Sequence, residues 1–266
     1  MKIAFIGGGN MGEAMLSAII SKGISTPKNI SVSDINEARL SHLGQKYGVY
    51  INASNLGTLA MGELVVLAVK PQNLAEIMAE VSGQLKPPQL VLSIIAGKNI
   101  DTLCQGLKYA AIVRAMPNTP AQVGQGMTVW TATPEVSKSQ KDWASSILGA
   151  MGKELYVTDE RYIDMATAIS GSGPAYVFLF MESLINAAVT IGLPPDIARE
   201  LVLQTVVGSG NFAQKSAKEL SQLRRMVTSP GGTTAEAVKV LEEGRFAELV
   251  KQAVAAAYKR ARELGG

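Results

Sequence analysis

Cysteine and histidine are almost missing from this 266-residue chain, which has one of each, Cys104 and His42. One cysteine excludes a disulfide framework within the chain and fits a reducing compartment, so a cytoplasmic location is expected. Cys104 reads as a small buried hydrophobe. One Cys and one His, 62 residues apart, leave little zinc-ligand chemistry beyond carboxylates, and no metal is expected. His42 falls in the helix of the second βαβ unit, far in sequence from every glycine-rich loop, so a catalytic imidazole is not expected. An excess of one charge is lacking too: 25 Lys+Arg against 22 Asp+Glu leave +3, too mild to argue for nucleic acid. The basic residues along Lys251 to Arg262 are spread over helical turns and mixed with Glu263, as on a solvated face. No extended apolar leader follows Met1-Lys2. The apolar stretch Ala175 to Leu193 contains Glu182 and Asn186 and ends at Gly192-Leu193-Pro194. It reads as a buried or subunit-interface helix rather than a membrane span.

What is present is concentrated at the start. A short apolar run, Ile3 to Ile6, leads into Gly7-x-Gly9-x-x-Gly12, and an amphipathic segment from Met11 to Ile20 follows. Strand, tight turn, helix is the setting a dinucleotide fingerprint requires. Gly7 permits the turn, Gly9 lets a pyrophosphate approach the backbone, and Gly12 lets the helix pack close on the strand. The pyrophosphate would rest on the N–H groups at the helix entrance, around Asn10 and Met11.

The first half then alternates. Strands are expected at Ile30–Ser33, Gly48–Ile51, Leu64–Val69, Leu90–Ile95, Ala111–Ala115, Met127–Thr131 and Leu155–Val157. Helices are expected at Glu37–Lys46, Leu74–Leu85 and Trp143–Met151. This pattern predicts a parallel sheet wound on both faces. From about Glu160 only helical periods remain, with glycine and proline at the joints. The expected fold is an α/β N-terminal Rossmann-type doubly wound sheet, residues 1–159, followed by an all-α domain, residues 160–266.

Several segments sit where such sheets bind ligands, beyond the C-terminal ends of strands. Asp34 follows Gly12 by 22 residues, near the ~20 at which an acid meets the adenosine ribose. Ser33, Asn36 and Arg39 crowd the same corner and suit a 2′-phosphate equally, while Asp34 could simply cap the helix at Glu37. Ala68-Val69-Lys70-Pro71 and Ser93-Ile-Ile-Ala96-Gly97 end two further strands, and Ala96 leaves room for a flat ring. Asn118, in Met116-Pro-Asn-Thr-Pro120, suits a carboxamide or its own turn. In the helical half, Ser229-Pro230-Gly231-Gly232 is a turn, and Thr233 and Thr234 open a helix. That entrance suits a carboxylate or is an ordinary helix start capped by one of the threonines.

Taken together these residues resemble the pyrroline-5-carboxylate reductase family over essentially the whole chain. The resemblance rests on Gly7-Gly-Gly-Asn-Met-Gly12, Ala68-Val-Lys-Pro71, Ser93-Ile-Ile-Ala-Gly97, Met116-Pro-Asn-Thr-Pro120, Ser170-Gly-Ser-Gly-Pro-Ala-Tyr176 and Thr228-Ser-Pro-Gly-Gly-Thr-Thr234. It implies an all-helical dimerisation domain, a homodimer and rings of dimers. It also implies NADPH as coenzyme, with NADH left open by Asp34, and reduction of 1-pyrroline-5-carboxylate to L-proline. By position, the coenzyme would meet Gly7, Gly9, Asn10, Met11, Gly12, Ser33, Asp34, Asn36, Asn55, Ala68, Val69, Lys70, Pro71, Ala96 and Asn118. The substrate carboxylate would meet Ser229, Gly231, Gly232 and Thr233. Thr234 is the expected catalytic contact, to the ring nitrogen. One departure is that Arg224-Arg225 stands where the family often has Lys-Asp.

The implied chemistry suits the composition. An iminium carbon is already electrophilic, so positioning matters more than a strong acid. A β-hydroxyacid dehydrogenase shares the plan of the first half, but its catalytic lysine would fall at Val177. A non-catalytic dinucleotide sensor would not need the Thr228–Thr234 turn.

Overall fold

The computed structural model describes residues 1–265. Eight strands form one sheet: β1 (Ile3–Ile6), β2 (Ile30–Ser33), β3 (Tyr50–Asn52), β4 (Leu64–Leu67), β5 (Leu90–Ser93), β6 (Ile112–Met116), β7 (Gly126–Ala132) and β8 (Gly152–Tyr156), in the order β3-β2-β1-β4-β5-β6-β7-β8. β1 pairs in parallel with both β2 and β4. The chain therefore leaves β1 in one direction and returns in the other, which opens a crevice at the strand ends there.

The all-parallel expectation fails at one place. β7 runs antiparallel to β6, and β8 is parallel to β7. Only residues 117–125 separate β6 from β7, with a short 3₁₀ turn at Thr119–Val123. A parallel crossover needs a dozen or more residues, usually including a helix.

In the first part of the chain the helices are α1 (Asn10–Ser21), α2 (Glu37–Tyr47), α3 (Asn55–Leu59), α4 (Leu74–Val81), α5 (Ile100–Leu107) and α6 (Lys138–Gly149). Alternate strand residues feed two cores. Phe5, Val32, Val66 and Leu92 pack with Met15, Leu16 and Ile19 of α1 and Leu43 of α2. Ala4, Ile6, Val65, Leu67 and Val91 pack with Leu74, Ile77 and Val81 of α4 and Leu103 of α5. Each fully buried Val, Leu, Ile, Phe or Met among them contributes ~1.5–3 kcal/mol.

After Tyr156 every element is helical: α7 (Arg161–Ala166), one π turn (Thr167–Gly171), α8 (Gly173–Thr190), α9 (Pro195–Lys215), α10 (Leu220–Met226), α11 (Thr233–Glu243) and α12 (Phe246–Gly265). By contacts the chain divides into two compact units, one of Met1–Ser172 with the segment from Ala256, the other of Gly173–Ala255. In the second unit α8 packs on α9, yet Phe178, Leu179 and Phe180 remain exposed.

Candidate functional site

A cavity of about 450 Å³ opens over the ends of β1, β2 and β4. Its wall contains Gly7, Gly9, Asn10, Ser33, Asp34, Asn36, Asn55, Ala68, Val69 and Lys70, ten of the fifteen residues expected for the coenzyme. The fingerprint builds the near wall. Gly7 has φ +101°, and a Cβ there would lie 2.6 Å from the Ala68 carbonyl oxygen. A Cβ on Gly12 would lie 2.7 Å from the Gly7 oxygen, so α1 packs directly against the turn. Gly9 differs: a Cβ there would meet nothing within 4 Å. The fold itself leaves room for a side chain at this position. Gly9 is also the N-cap of α1, with no side chain bonded to the helix start. The first N–H groups of that 12-residue helix are open to an anion.

The other expected residues are placed as follows. Gly12 works from behind, as described. Met11 turns its side chain toward the core around α1, so only its backbone is available. Pro71 starts a 3₁₀ turn (Pro71–Asn73) beyond β4. Ala96 lies in the turn after β5, beside Gly97, whose missing Cβ makes room for Leu264. Asn118 is bonded at both ends of its amide. Its Oδ1 accepts from the Met127 N–H at 2.8 Å and its Nδ2 donates to the Ser170 carbonyl at 3.0 Å. Both ends of the amide hold β7 and the π turn rather than its own turn.

Asp34 also differs from its reading as a cap. Asn36 caps α2, accepting from the Arg39 N–H at 3.1 Å. Asp34 instead accepts from the Gly8 N–H at 2.7 Å and the Asn36 N–H at 2.9 Å. It fastens the fingerprint loop to the β2 corner. Arg39 reinforces this by donating to the Gly8 carbonyl at 2.5 Å and pairing with Glu13. Glu13, 16% exposed, also receives Lys46 at 3.0 Å and Tyr47 at 2.9 Å. Burial pushes its carboxyl up, but the bonds from Lys46, Tyr47 and Arg39 outweigh this and bring it from 4.5 to about 2. His42, distant from the fingerprint in sequence, lies 3.4 Å from Glu13 on the same helix pair.

Glu76, Glu80 and Asn73 also line the cavity. Sequence reading missed them because they sit on the α4 side without a motif. An acid on an amphipathic helix next to a Lys-Pro strand end was the only available signal.

In the second unit the Ser229–Gly232 turn is stabilised by the Gly232 N–H on the Ser229 carbonyl at 3.0 Å. Gly231 has φ +68°, and a Cβ on Gly232 would lie 2.5 Å from Ser229 Oγ. Gly232 is the N-cap of α11, again with no side-chain cap. Thr233 and Thr234 are therefore the first two helical residues rather than caps, and their N–H groups lack intrahelical acceptors. Arg224 of α10 pairs with Glu242 of α11 at 3.2 Å, which gives the first of the two arginines a local role.

The chain matches the family model described as pyrroline-5-carboxylate reductase dimerisation over residues 160–264. It matches the model described as NADP oxidoreductase, coenzyme F420-dependent, over residues 2–97. It is 41% identical to the pyrroline-5-carboxylate reductase of Synechocystis sp., covering 100% of this chain and 98% of that one. Identity to the Pseudomonas aeruginosa enzyme of the same name is 39%, over 99% and 96%. The solved pyrroline-5-carboxylate reductase of Coxiella burnetii superposes with a TM-score of 0.92 at 40% identity, covering 100% and 98%. That of Plasmodium falciparum, solved with NADP bound, superposes at 0.91 and 33% identity, also over 100% and 98%. With full-length identity at this level and both halves matched, this chain belongs to the pyrroline-5-carboxylate reductase family.

Proposed function

We propose that this chain reduces 1-pyrroline-5-carboxylate to L-proline, the last step of proline biosynthesis, using NADPH, with NADH as an alternative donor. The observation that carries this reading is the open face of Gly9 above an uncapped helix start. A Cβ would fill that cradle, and a diphosphate fits the free N–H groups below it. Ser33, Asn36 and Asn55 suit the adenosine ribose or its 2′-phosphate. Ala68 to Pro71 and Ala96 suit the nicotinamide side. In this reading residues 1–159 bind the dinucleotide, and residues 160–266 bind the substrate and dimerise.

When bound, the coenzyme supplies a hydride for C5 of the cyclic imine. The chain's own contribution is positioning. The N–H groups of Thr233 and Thr234, with Ser229, Gly231 and Gly232, receive the substrate carboxylate at the α11 entrance. The Thr234 hydroxyl bonds the ring nitrogen and sets which face of the ring is presented. No titratable side chain is required, because the protonated imine is electrophilic before it binds.

The continuous helical run Arg161–Thr190 is long and apolar enough to cross a membrane by length and composition. The dimerisation model covers all of it, which supports burial of its exposed aromatic side chains in a homodimer, with rings of dimers as the larger assembly. A cytoplasmic setting agrees with the single cysteine. The test is loss of nicotinamide absorbance when NADPH or NADH meets pyrroline-5-carboxylate, with proline as product. Consumption of neither coenzyme would overturn the proposal.

A further inference from the structure

Two cations border the cavity, Arg39 and Lys70. Lys70 follows β4, and Arg39 stands on α2, after β2, so the sheet order β2-β1-β4 puts them on opposite sides of the fingerprint strand. A group bound at the β2 corner, beside Ser33, Asp34 and Asn36, meets Arg39 rather than Lys70.

The Arg39 guanidinium is fixed in place. Its Nε donates to the Gly8 carbonyl at 2.5 Å and its Nη2 pairs with Glu13. Its Nη1 has no protein acceptor among the described residues, and the side chain is 22% exposed on the cavity wall. Glu13 is shared with Lys46 at 3.0 Å, so it does not fully neutralise Arg39. The acids of this corner are engaged as well: Asp34 takes the N–H groups of Gly8 and Asn36, and Glu80 takes Nδ2 of Asn55 at 2.7 Å. The Ser33 hydroxyl donates to Oδ1 of Asn55 at 2.7 Å, and Oδ1 of Asn36 caps α2. The side-chain donors left over are Nη1 of Arg39 and Nδ2 of Asn36. A ribose 2′-hydroxyl both donates and accepts, and gains little from a cation. A 2′-phosphate brings acceptor oxygens and negative charge, which the planar guanidinium matches. An arginine already held by two bonds loses little side-chain freedom on receiving it.

We infer that Arg39 is the specificity-determining contact of the coenzyme site: its Nη1 edge, with Nδ2 of Asn36, receives a 2′-phosphate, while its Nε ties the same group to the fingerprint loop. The inference rests on the coenzyme reading of this cavity and deepens it, because one side chain then serves the loop that holds the diphosphate and the corner that holds the third phosphate.

The experiment is calorimetric titration of the full-length protein with NADPH and NADH, and with adenosine 2′,5′-bisphosphate and AMP, which carry the same contrast without nicotinamide. Arg39→Met should lower affinity for the 2′-phosphorylated member of each pair roughly tenfold to a hundredfold relative to the other, the range for one bond to a charged group. Loss of the tie to Gly8 falls on all four compounds and cancels in the ratio. Arg39→Lys keeps the charge without the planar fork, so it should lower the ratio by less, and it gives the reading if Arg39→Met does not fold. Lys70→Met should leave both ratios unaltered. Unaltered ratios in the arginine variants, or a ratio that falls in Lys70→Met instead, overturn the inference. Gly9→Val is the companion variant. If it still bound all four compounds as the parent does, the coenzyme reading itself would fall, and the inference with it.

Discussion

The carboxylate of Asp34 holds the backbone N–H of Gly8 at 2.7 Å, so the acid at the end of β2 is tied to the loop at the end of β1. A residue expected to meet the ribose is also part of the loop's scaffold. Replacing it by alanine should weaken NADPH and NADH binding alike, by roughly tenfold or more, the loss expected for a hydrogen bond to a charged group worth ~1.5–3 kcal/mol. Asp34→Asn, which keeps an acceptor, should retain most of the affinity. Selective loss of NADH in a fluorescence titration would show that the carboxylate acts on the ribose after all.

The three fingerprint glycines should separate fold from function. Gly7 and Gly12 have backbone atoms 2.6 and 2.7 Å from where a Cβ would stand, whereas Gly9 has open space. Gly9→Val should therefore keep the parental Tm and lose coenzyme binding. Gly12→Val should lose Tm first, because α1 can no longer lie on the turn. Thermal melts with and without NADPH distinguish the two, and a strongly lowered Tm for Gly9→Val would contradict this account.

Glu13 gives a pH dependence of known sign. Its carboxyl is held at about 2 in the fold, against an ordinary 4.5. A depressed folded-state value contributes stability that is present above 4.5 and is lost as pH falls from there toward 2. Glu13→Gln removes that contribution. The Tm gap between parent and variant should be full at neutral pH, narrow below 4.5 and close near 2. A gap that stays constant across this window would show that the Lys46–Tyr47–Arg39 cluster does not act through the Glu13 charge.

Much of this was legible in the chain. β1, β2 and the Gly7–Gly12 turn follow from apolar runs broken by glycine; Ser33 and Asn36 line the cavity beside Asp34, and Asn55 lines it as the family resemblance implied. Three kinds of feature were missed. The five-residue α3 is too short to display a period, and α5, as long as α4, went unread, although Ser54 and Asn99 cap the two by accepting from Gly57 and Thr102. α6 starts at Lys138 rather than Trp143 because Ser137 and Gln140 form a reciprocal capping box ahead of its apolar residues. Glu80 and the second partner of Asn118 depend on which helices the sheet order brings together, and local pattern contains no such information.

Arg114 is another long-range feature of this type. It stands on β6 with a side chain 3% exposed, bonded to Glu160 at 2.7 Å and Asp164 at 2.6 Å on the α7 side. Glu160 also receives the Ile100 N–H at 2.8 Å, which brings α5 into the same cluster. Arg114→Met leaves two carboxylates facing an apolar side chain, at a cost of about 3 kcal/mol. A Tm lower by roughly 6–12 °C is expected for a chain of this size. Adding Glu160→Gln and Asp164→Asn should restore much of the loss, since a neutral cluster leaves no stranded charge. If the triple variant melted no higher than Arg114→Met, packing rather than charge would explain the site.

The substrate turn yields the remaining test. Neither threonine caps α11; Gly232 does, without a side-chain bond. A cap role for Thr234 would make Thr234→Ala chiefly a stability variant, with loss of ~1 kcal/mol of helix stability. At the second helical position the hydroxyl is not needed by the helix, so its removal should leave Tm within a degree or two, a shift that corresponds to less than ~1 kcal/mol. The effect should fall on the reaction: kcat/KM for pyrroline-5-carboxylate should drop about tenfold to a hundredfold, the value of one polar contact of ~1.5–3 kcal/mol, with coenzyme affinity unchanged. Thr234→Ser, which keeps the hydroxyl, should recover most of the rate. Because the contact orients the ring for transfer, kcat should carry much of the decrease; a rise in KM alone would instead assign Thr234 to ground-state binding. Full activity in Thr234→Ala would remove it from the reaction altogether.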